Sequence, residues 1–272
     1  MKKIIIVLIT ILLVGCSNEN YESLNVGYST NYINDNDNKI LKEIFTNHDI
    51  SNPNIFLDFV NDYNQMEDKD CGLSNWVKSD TLKYNDSNCY NRFEEKYDKS
   101  DGNCRITSFI LLNNSLSVKK EKNTSGSYLM FDSDVILNNN NYSFLKKDYN
   151  KFITLFDEID VSKINKEDYI NAYPNKWKDY QISLNTDKFS LISVVMNDPY
   201  DKVLFVGHAG ILIPLKDKYL FIEKIAFEMP YQFNVIKNKE DLAKLFKNRS
   251  SYFDSESEGP YIYENDKLLY SF

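Results

Sequence analysis

A chain of 272 residues with 40 acidic and 32 basic side chains carries a formal charge of −8 at pH 7. That balance offers no attraction for a nucleic-acid backbone or an anionic lipid surface. The 42% apolar and 14% aromatic content argues against general disorder, and about 250 residues suffice for one sizeable domain or two small ones.

The first element is a leader. Lys2 and Lys3 precede an apolar run, Ile4 to Val14, that is too short to span a bilayer comfortably and has the layout of a secretory signal. Leu13-Val14-Gly15-Cys16 resembles the lipobox of bacterial lipoproteins. The resemblance implies a signal peptide over residues 1–15, cleavage before Cys16 and a diacylglycerol on its thiol. The mature chain is then expected on the extracytoplasmic face of the cell membrane, held by lipid and not by a basic patch. Removing Lys2 and Lys3 leaves it at −10. Residues 16–38, rich in Asn, Asp and Ser, read as a lipidated tether, and residues 39–272 as a single domain.

Ile40, Leu41, Ile44 and Phe45 repeat at helical spacing, and Phe56, Phe59, Val60 and Tyr63 do so after Pro53. His48 follows the first of these helices and reads as its C-terminal cap. Residues 66–103 read as loop and contain Cys71 and Cys89. With Cys16 lipidated, three cysteines remain, and an odd number outside the cell leaves at least one thiol unpaired. Cys71 with Cys89 is one candidate bridge, which leaves Cys104 free; the sequence does not decide the pairing. A zinc site from the three cysteines and His208 lacks C-x-x-C clustering, so neither metal nor cofactor is expected.

Asp101-Gly102-Asn103 is turn chemistry, and a helix from about Cys104 to Leu112 presents Ile106, Phe109 and Ile110 on one face. Cys104 therefore falls in a first helical turn. Unsatisfied N–H groups and the positive end of the helix dipole stabilise a thiolate there. The competing reading is a cysteine buried for packing. Residues 119–127 form a charged connection and Asn138–Asn141 a low-complexity loop. Helices are expected over 142–156 and 166–182, the second strained near Pro174.

The character then changes. KFSLISVVMN, KVLFVGHAGILIPL and KYLFIEKIAFEM are three β-rich runs in succession. The middle run is apolar on both parities and reads as a central strand covered on both faces. A helix over 239–248 and a last strand near 260–270 complete an α+β domain.

His208 lies inside that middle run, between Gly207, Ala209 and Gly210. Such small neighbours leave room beside an imidazole; a satisfied core histidine is the competing reading. Glu223 is the one acid in YLFIEKI. A hairpin turn centred on Lys216-Asp217 places Gly210 opposite Glu223, which then shares a face with His208, roughly 7–8 Å away between backbones. A three-residue turn would separate them. Glu228, Gln232 and Asn234 are reserve candidates for that third position.

A cysteine opening an apolar helix, then HAGILI, then FIEKI on the partner strand resembles papain-like cysteine hydrolases, above all NlpC-like cell-wall peptidases and their circularly permuted lipid-acting relatives. The resemblance implies N-terminal helices packed on a C-terminal antiparallel sheet. It also implies Cys104 as nucleophile, His208 as base and Glu223 as orienter. The implied chemistry is hydrolysis of an amide, with a cell-wall peptide as substrate by address, and no nucleic-acid partner. The turn Asp101-Gly102-Asn103-Cys104 also resembles that of ovarian-tumour-type deubiquitinases, whose histidine stands in another context. Papain has a glutamine six residues before its cysteine, where this chain has Asp98. The oxyanion donors are therefore expected to be the Cys104 amide with Asn103 or Gln65. The alternative is a catalytically inactive, surface-binding lipoprotein on the same scaffold. Most of the mature chain is also similar to an uncharacterised family of Gram-positive bacterial lipoproteins.

Overall fold

The computed structural model describes residues 20–66, 71–97, 101–249 and 259–272. In chain order the elements are β1 (Tyr28–Thr30), α1 (Asp35–Asn47), α2 (Pro53–Met66), β2 (Val77–Lys78), α3 (Asp86–Tyr97), α4 (Cys104–Leu112) and β3 (Leu116–Val118). Then come α5 (Met130–Asn138), α6 (Tyr149–Phe156), β4 (Ile159–Asp160), α7 (Tyr169–Tyr180), β5 (Ile182–Leu184), β6 (Ser190–Asp198) and β7 (Val203–Pro214). The last are β8 (Tyr219–Lys224), β9 (Tyr231–Ile236), α8 (Lys239–Lys247), β10 (Tyr261–Glu264) and β11 (Lys267–Ser271).

The main sheet is antiparallel, in the order β11-β10-β6-β7-β8-β9-β1-β2, with β4 added to β7; β3 and β5 form a separate pair. The α+β expectation is met. β7 is central, and its residues enter two cores. Ala209, Ile211 and Ile213 pack with Ile106 and Phe109 of α4 and with Leu220, Ile222 and Phe233. Leu212 packs on the other face with Val194, Phe221 and Ile236 beneath Leu242 and Phe246 of α8.

Local chemistry explains where the helices begin. The Asn34 side chain accepts from the amides of Asn36 and Asp37, and the Asp37 carboxylate accepts from the Asn34 amide, a reciprocal cap. The Asn238 side chain opens α8 by accepting from the Asp241 amide. His48 caps α1 as expected, with Nδ1 2.7 Å from the Ile44 carbonyl and Nε2 2.9 Å from that of Pro214, so it also ties α1 to β7.

Several boundaries differ from the sequence reading. The domain begins before residue 39: Tyr21 and Leu24 are buried, and β1 lies between β9 and β2. Pairing with a distant strand overrides the polar composition of residues 20–38. The stretch 66–103 contains α3, which carries the buried Cys89. The segment 142–156 is a 3-10 stretch, Asn140–Asp148, followed by α6. The expected last strand is a hairpin, β10 and β11, because Asn265 adopts φ 54° and turns the chain between them.

Two irregularities of β7 shape the surroundings of His208. Val194 pairs with His208 but Val195 with Val206, so Gly207 is the extra residue of a bulge. The bulge turns His208 to the α8 face, where its ring meets Phe246 edge-on at 6.1 Å, while Val206 stays in the core on the other face. On the opposite edge, β8 pairs with β7 no further than Gly210, and β4 takes up that edge at Leu204 and Val203. Between them the edge of β7 has no strand partner among the described residues.

Candidate active site

The first turn of α4 fills that gap. The Asn103 side chain accepts from the amides of Arg105 (3.0 Å) and Ile106 (3.1 Å) and starts the helix. Arg105 Nη1 donates to the Val206 carbonyl at 2.8 Å, and the Ala209 amide donates to the Cys104 thiol. Two backbone groups that a neighbouring strand would have used are thus met by the start of a helix.

The preceding turn is fixed independently. The Gly102 amide donates to Asp101 Oδ1 at 2.7 Å and to the Tyr142 hydroxyl at 2.8 Å. Asp101 also accepts from the Tyr142 hydroxyl and is paired with the fully buried Lys224. A Cβ on Gly102 would lie 2.8 Å from the Tyr142 oxygen. Here glycine admits Tyr142.

The hairpin register is the one a Lys216-Asp217 turn requires. Pro214 pairs with Tyr219, the Leu215 amide donates to the Lys218 carbonyl at 2.8 Å, and Gly210 stands opposite Glu223. His208 Nε2 lies 2.6 Å from Glu223 Oε2. Nδ1 is then the nitrogen left for Cys104, to which His208 is hydrogen-bonded. The three side chains are buried, with residue exposures of 6% for Cys104, 1% for His208 and 0% for Glu223. The room expected beside the imidazole is already occupied. A Cβ on Gly210 would meet the Phe221 ring at 2.5 Å and the Ile222 carbonyl at 2.7 Å, and one on Gly207 would meet Met196.

Burial pushes the Cys104 thiol up, but the charge and hydrogen bond of His208, the charge of Arg105 and the Ala209 amide outweigh it, leaving the thiol below its ordinary value. Burial pushes His208 down, and its contacts with Cys104 and Glu223 raise it above the usual imidazole value. For Glu223 burial acts upward; the Arg249 guanidinium and then His208 bring it to about 2. These directions favour proton transfer from the thiol to the imidazole, with the carboxylate behind it, the arrangement that makes a cysteine nucleophilic.

Of the expected oxyanion donors, Asn103 is engaged elsewhere: its oxygen caps α4 and its Nδ2 donates to Asp132 at 2.8 Å. Gln65 is exposed on α2 and shares no hydrogen bond with Cys104, His208 or Glu223 among the described residues. The Cys104 backbone N–H has no acceptor among the described residues, because the cap serves the two amides that follow it. Among the reserve residues, Asn234 Nδ2 donates to Glu223 Oε1 at 3.0 Å, and Gln232 stands opposite Glu223 and donates to Asn234 at 2.5 Å. The Glu228 carbonyl accepts from Tyr63 instead.

Arg249 is not among the sequence candidates. It donates from Nη1 to Glu223 Oε2 (2.7 Å) and from Nη2 to Glu223 Oε1 (2.6 Å). No periodicity marks it, since the pair joins residues 26 apart through the end of α8. Cys71 and Cys89 are disulfide-bonded and Cys104 is free, which removes two of the four ligands of a zinc set made from these three cysteines and His208. The leader over residues 1–15, Cys16 and Asp98 lie outside the described residues. No helix among the described residues is long and apolar enough to cross a membrane.

A family model for a domain of unknown function, DUF4300, matches residues 28–269. The chain belongs to the DUF4300 family. The DUF4300 match runs from the first residue of β1 into β11, so it takes in the disulfide, Cys104, His208, Glu223 and Arg249, and agrees with a domain that starts before residue 39. No curated protein and no solved structure matches the chain.

Proposed function

We propose that this protein is a lipid-anchored thiol hydrolase of papain-like type, acting on an amide at the extracytoplasmic face of the membrane. The observation that carries the reading is the free Cys104 in the first turn of α4, hydrogen-bonded to His208, which in turn contacts Glu223. The papain-like assignment is supported by a helix that starts at the thiol and packs on an antiparallel sheet whose neighbouring strands carry His208 and Glu223. The lipid anchor is supported by the Leu13–Cys16 pattern, and stem peptides of peptidoglycan are the amides nearest to that location.

His208 holds the proton from Cys104, and the thiolate attacks the substrate carbonyl to form a C–S bond. The oxyanion that develops is met by the unused Cys104 N–H. His208 returns the proton to the departing amine as the C–N bond breaks. Water, deprotonated by His208, then attacks the thioester; the C–S bond breaks and the acid is released.

The test follows alkylation of Cys104 by mass spectrometry against pH, in wild type and His208→Ala. A thiol that reacts well below the ordinary value of about 8.5, and loses that reactivity without His208, supports the reading. A thiol indifferent to His208 overturns it. The near-complete burial of Cys104 favours a second reading, a surface-binding lipoprotein that has kept the site without turnover; a reactive Cys104 that forms no acyl-enzyme with peptidoglycan fragments would select it. Cys16→Ser is expected to release the protein from the membrane fraction, and retention there would remove the anchor.

A further inference from the structure

We infer that Arg249 is a positioning residue of this site: by neutralising Glu223 it leaves the charge of His208 to Cys104. The inference rests on the reading of Cys104 and His208 as a nucleophile–base pair.

Buried charges around the site fall into pairs. Cys104 is faced by His208 and Ala209 of β7 and by Arg105 of its own helix. Arg105 is matched by Asp132 of α5, which it grips at 3.0 and 2.5 Å. Lys224 at the end of β8 is matched by Asp101. Glu223 is faced by His208 of β7, by Gln232 and Asn234 of β9 and by Arg249 beyond α8. On α8, the more exposed Asp241 and Lys244, which line the same cleft as Arg249, are also paired with each other. Counting the buried charges alone, Arg249 with Glu223 therefore completes a third neutral pair, and thiolate with imidazolium would be the fourth.

Without the guanidinium the charges no longer balance. His208 then carries one positive charge between two buried anions. The carboxylate, in direct contact at 2.6 Å, holds it, and ionising the thiol adds an uncompensated charge to a buried cluster. Burial penalises such a charge strongly. Besides His208, the N–H donor to Glu223 that remains among the described residues, Asn234 Nδ2, is neutral and cannot replace the guanidinium.

Geometry adds a second effect. The two parallel N–H···O contacts fix the carboxylate plane, with the Phe246 ring 5.4 Å from the guanidinium carbon and edge-on to His208. Arg249 is reachable, its side chain 17% exposed, on the wall of a cleft of about 590 Å³ that also presents Gln232, Asn234, Ser79 and Leu245.

The test is the ultraviolet titration of the Cys104 thiolate in the full chain, taken as the difference from Cys104→Ser. It is run in wild type, Arg249→Gln, Arg249→Lys, Glu223→Gln and the double variant Glu223→Gln/Arg249→Gln, after thermal unfolding has established that each folds. Arg249→Gln is expected to raise the thiol titration by about one pH unit, a roughly tenfold loss of thiolate below it. Arg249→Lys is expected to return most of that shift, and in the Glu223→Gln background the Arg249 change should add no upward shift. Should Arg249→Gln unfold, Arg249→Lys carries the test, since a retained charge predicts a titration near that of wild type. An unchanged titration in Arg249→Gln, or an equal upward shift when Glu223 is already neutral, overturns the inference alone. A wild-type thiol with ordinary acidity overturns the nucleophile–base reading itself.

Discussion

His208 Nε2 stands 2.6 Å from Glu223 Oε2, although Gly210, two residues further along β7, is the residue directly opposite Glu223. The contact is diagonal, across a position where neither strand can shift without losing Phe221 from the space above Gly210. One carboxylate thus meets the imidazole, Asn234 and Arg249 together.

Its effect on acid stability follows from sign. The folded value of Glu223, about 2, lies below the ordinary 4.5. The stabilisation is therefore fully present above pH 4.5 and is lost as pH falls toward 2. It amounts to about 3 kcal/mol. Urea unfolding of wild type is expected to weaken over that window, and Glu223→Gln to show a flatter acid limb from a lower plateau. Parallel curves would refute the assignment.

Gly210→Ala places a methyl against an aromatic ring and a backbone carbonyl. Overpacking of this kind costs about 1–3 kcal/mol, and the strain falls on the register that joins His208 to Glu223. A lower unfolding midpoint together with slower alkylation of Cys104 is expected. Lost stability with wild-type reactivity would show that the register absorbs the change elsewhere.

Lys176 is buried, and its Nζ donates to the carbonyls of Leu155 (3.0 Å) and Asp157 (2.5 Å) at the end of α6. Burial lowers it from 10.5 to about 7. The unfolded chain then binds more protons than the folded one between those values, so stability rises with pH there. The gain between about pH 7 and 9 is roughly 2–3 kcal/mol, read from urea midpoints. Lys176→Met should abolish the rise.

The Cys71–Cys89 bond closes a segment of 18 positions. Its reduction is expected to cost about 3 kcal/mol, measured by unfolding with and without reductant. The pair packs with Met229 in a small cluster of its own, so the titration of Cys104 should be the same in both states.

How much of the structure is legible in the sequence depends on the range of the interactions. The start of α4 is legible because Asn103 is a local cap, and the β7–β8 register because a two-residue turn fixes parity. β1 is not: three residues in a polar stretch gain their strand state from β9, some 205 positions away. α5 escapes because apolar Val135 and Ile136 are followed by a partly exposed Leu137, blurring any single face. Gly207 and Gly210 stand out in the sequence, but as open space beside the imidazole. Their missing side chains are in fact replaced by Met196 and Phe221, which no local pattern announces.

The edge of β7 that the start of α4 covers also bears on how the chain folds. Arg105 reaches Val206 across 101 positions, and the Ala209 amide reaches Cys104 across a similar span. Contacts of such range cost more loop entropy to form than local ones do. Until they form, Cys104 is an ordinary thiol, largely protonated and slow in exchange. The bridge between Cys71 and Cys89 closes over a much shorter loop, so its formation does not depend on the contacts that acidify Cys104. In this molecule, acidity of the thiol is a mark of completed assembly.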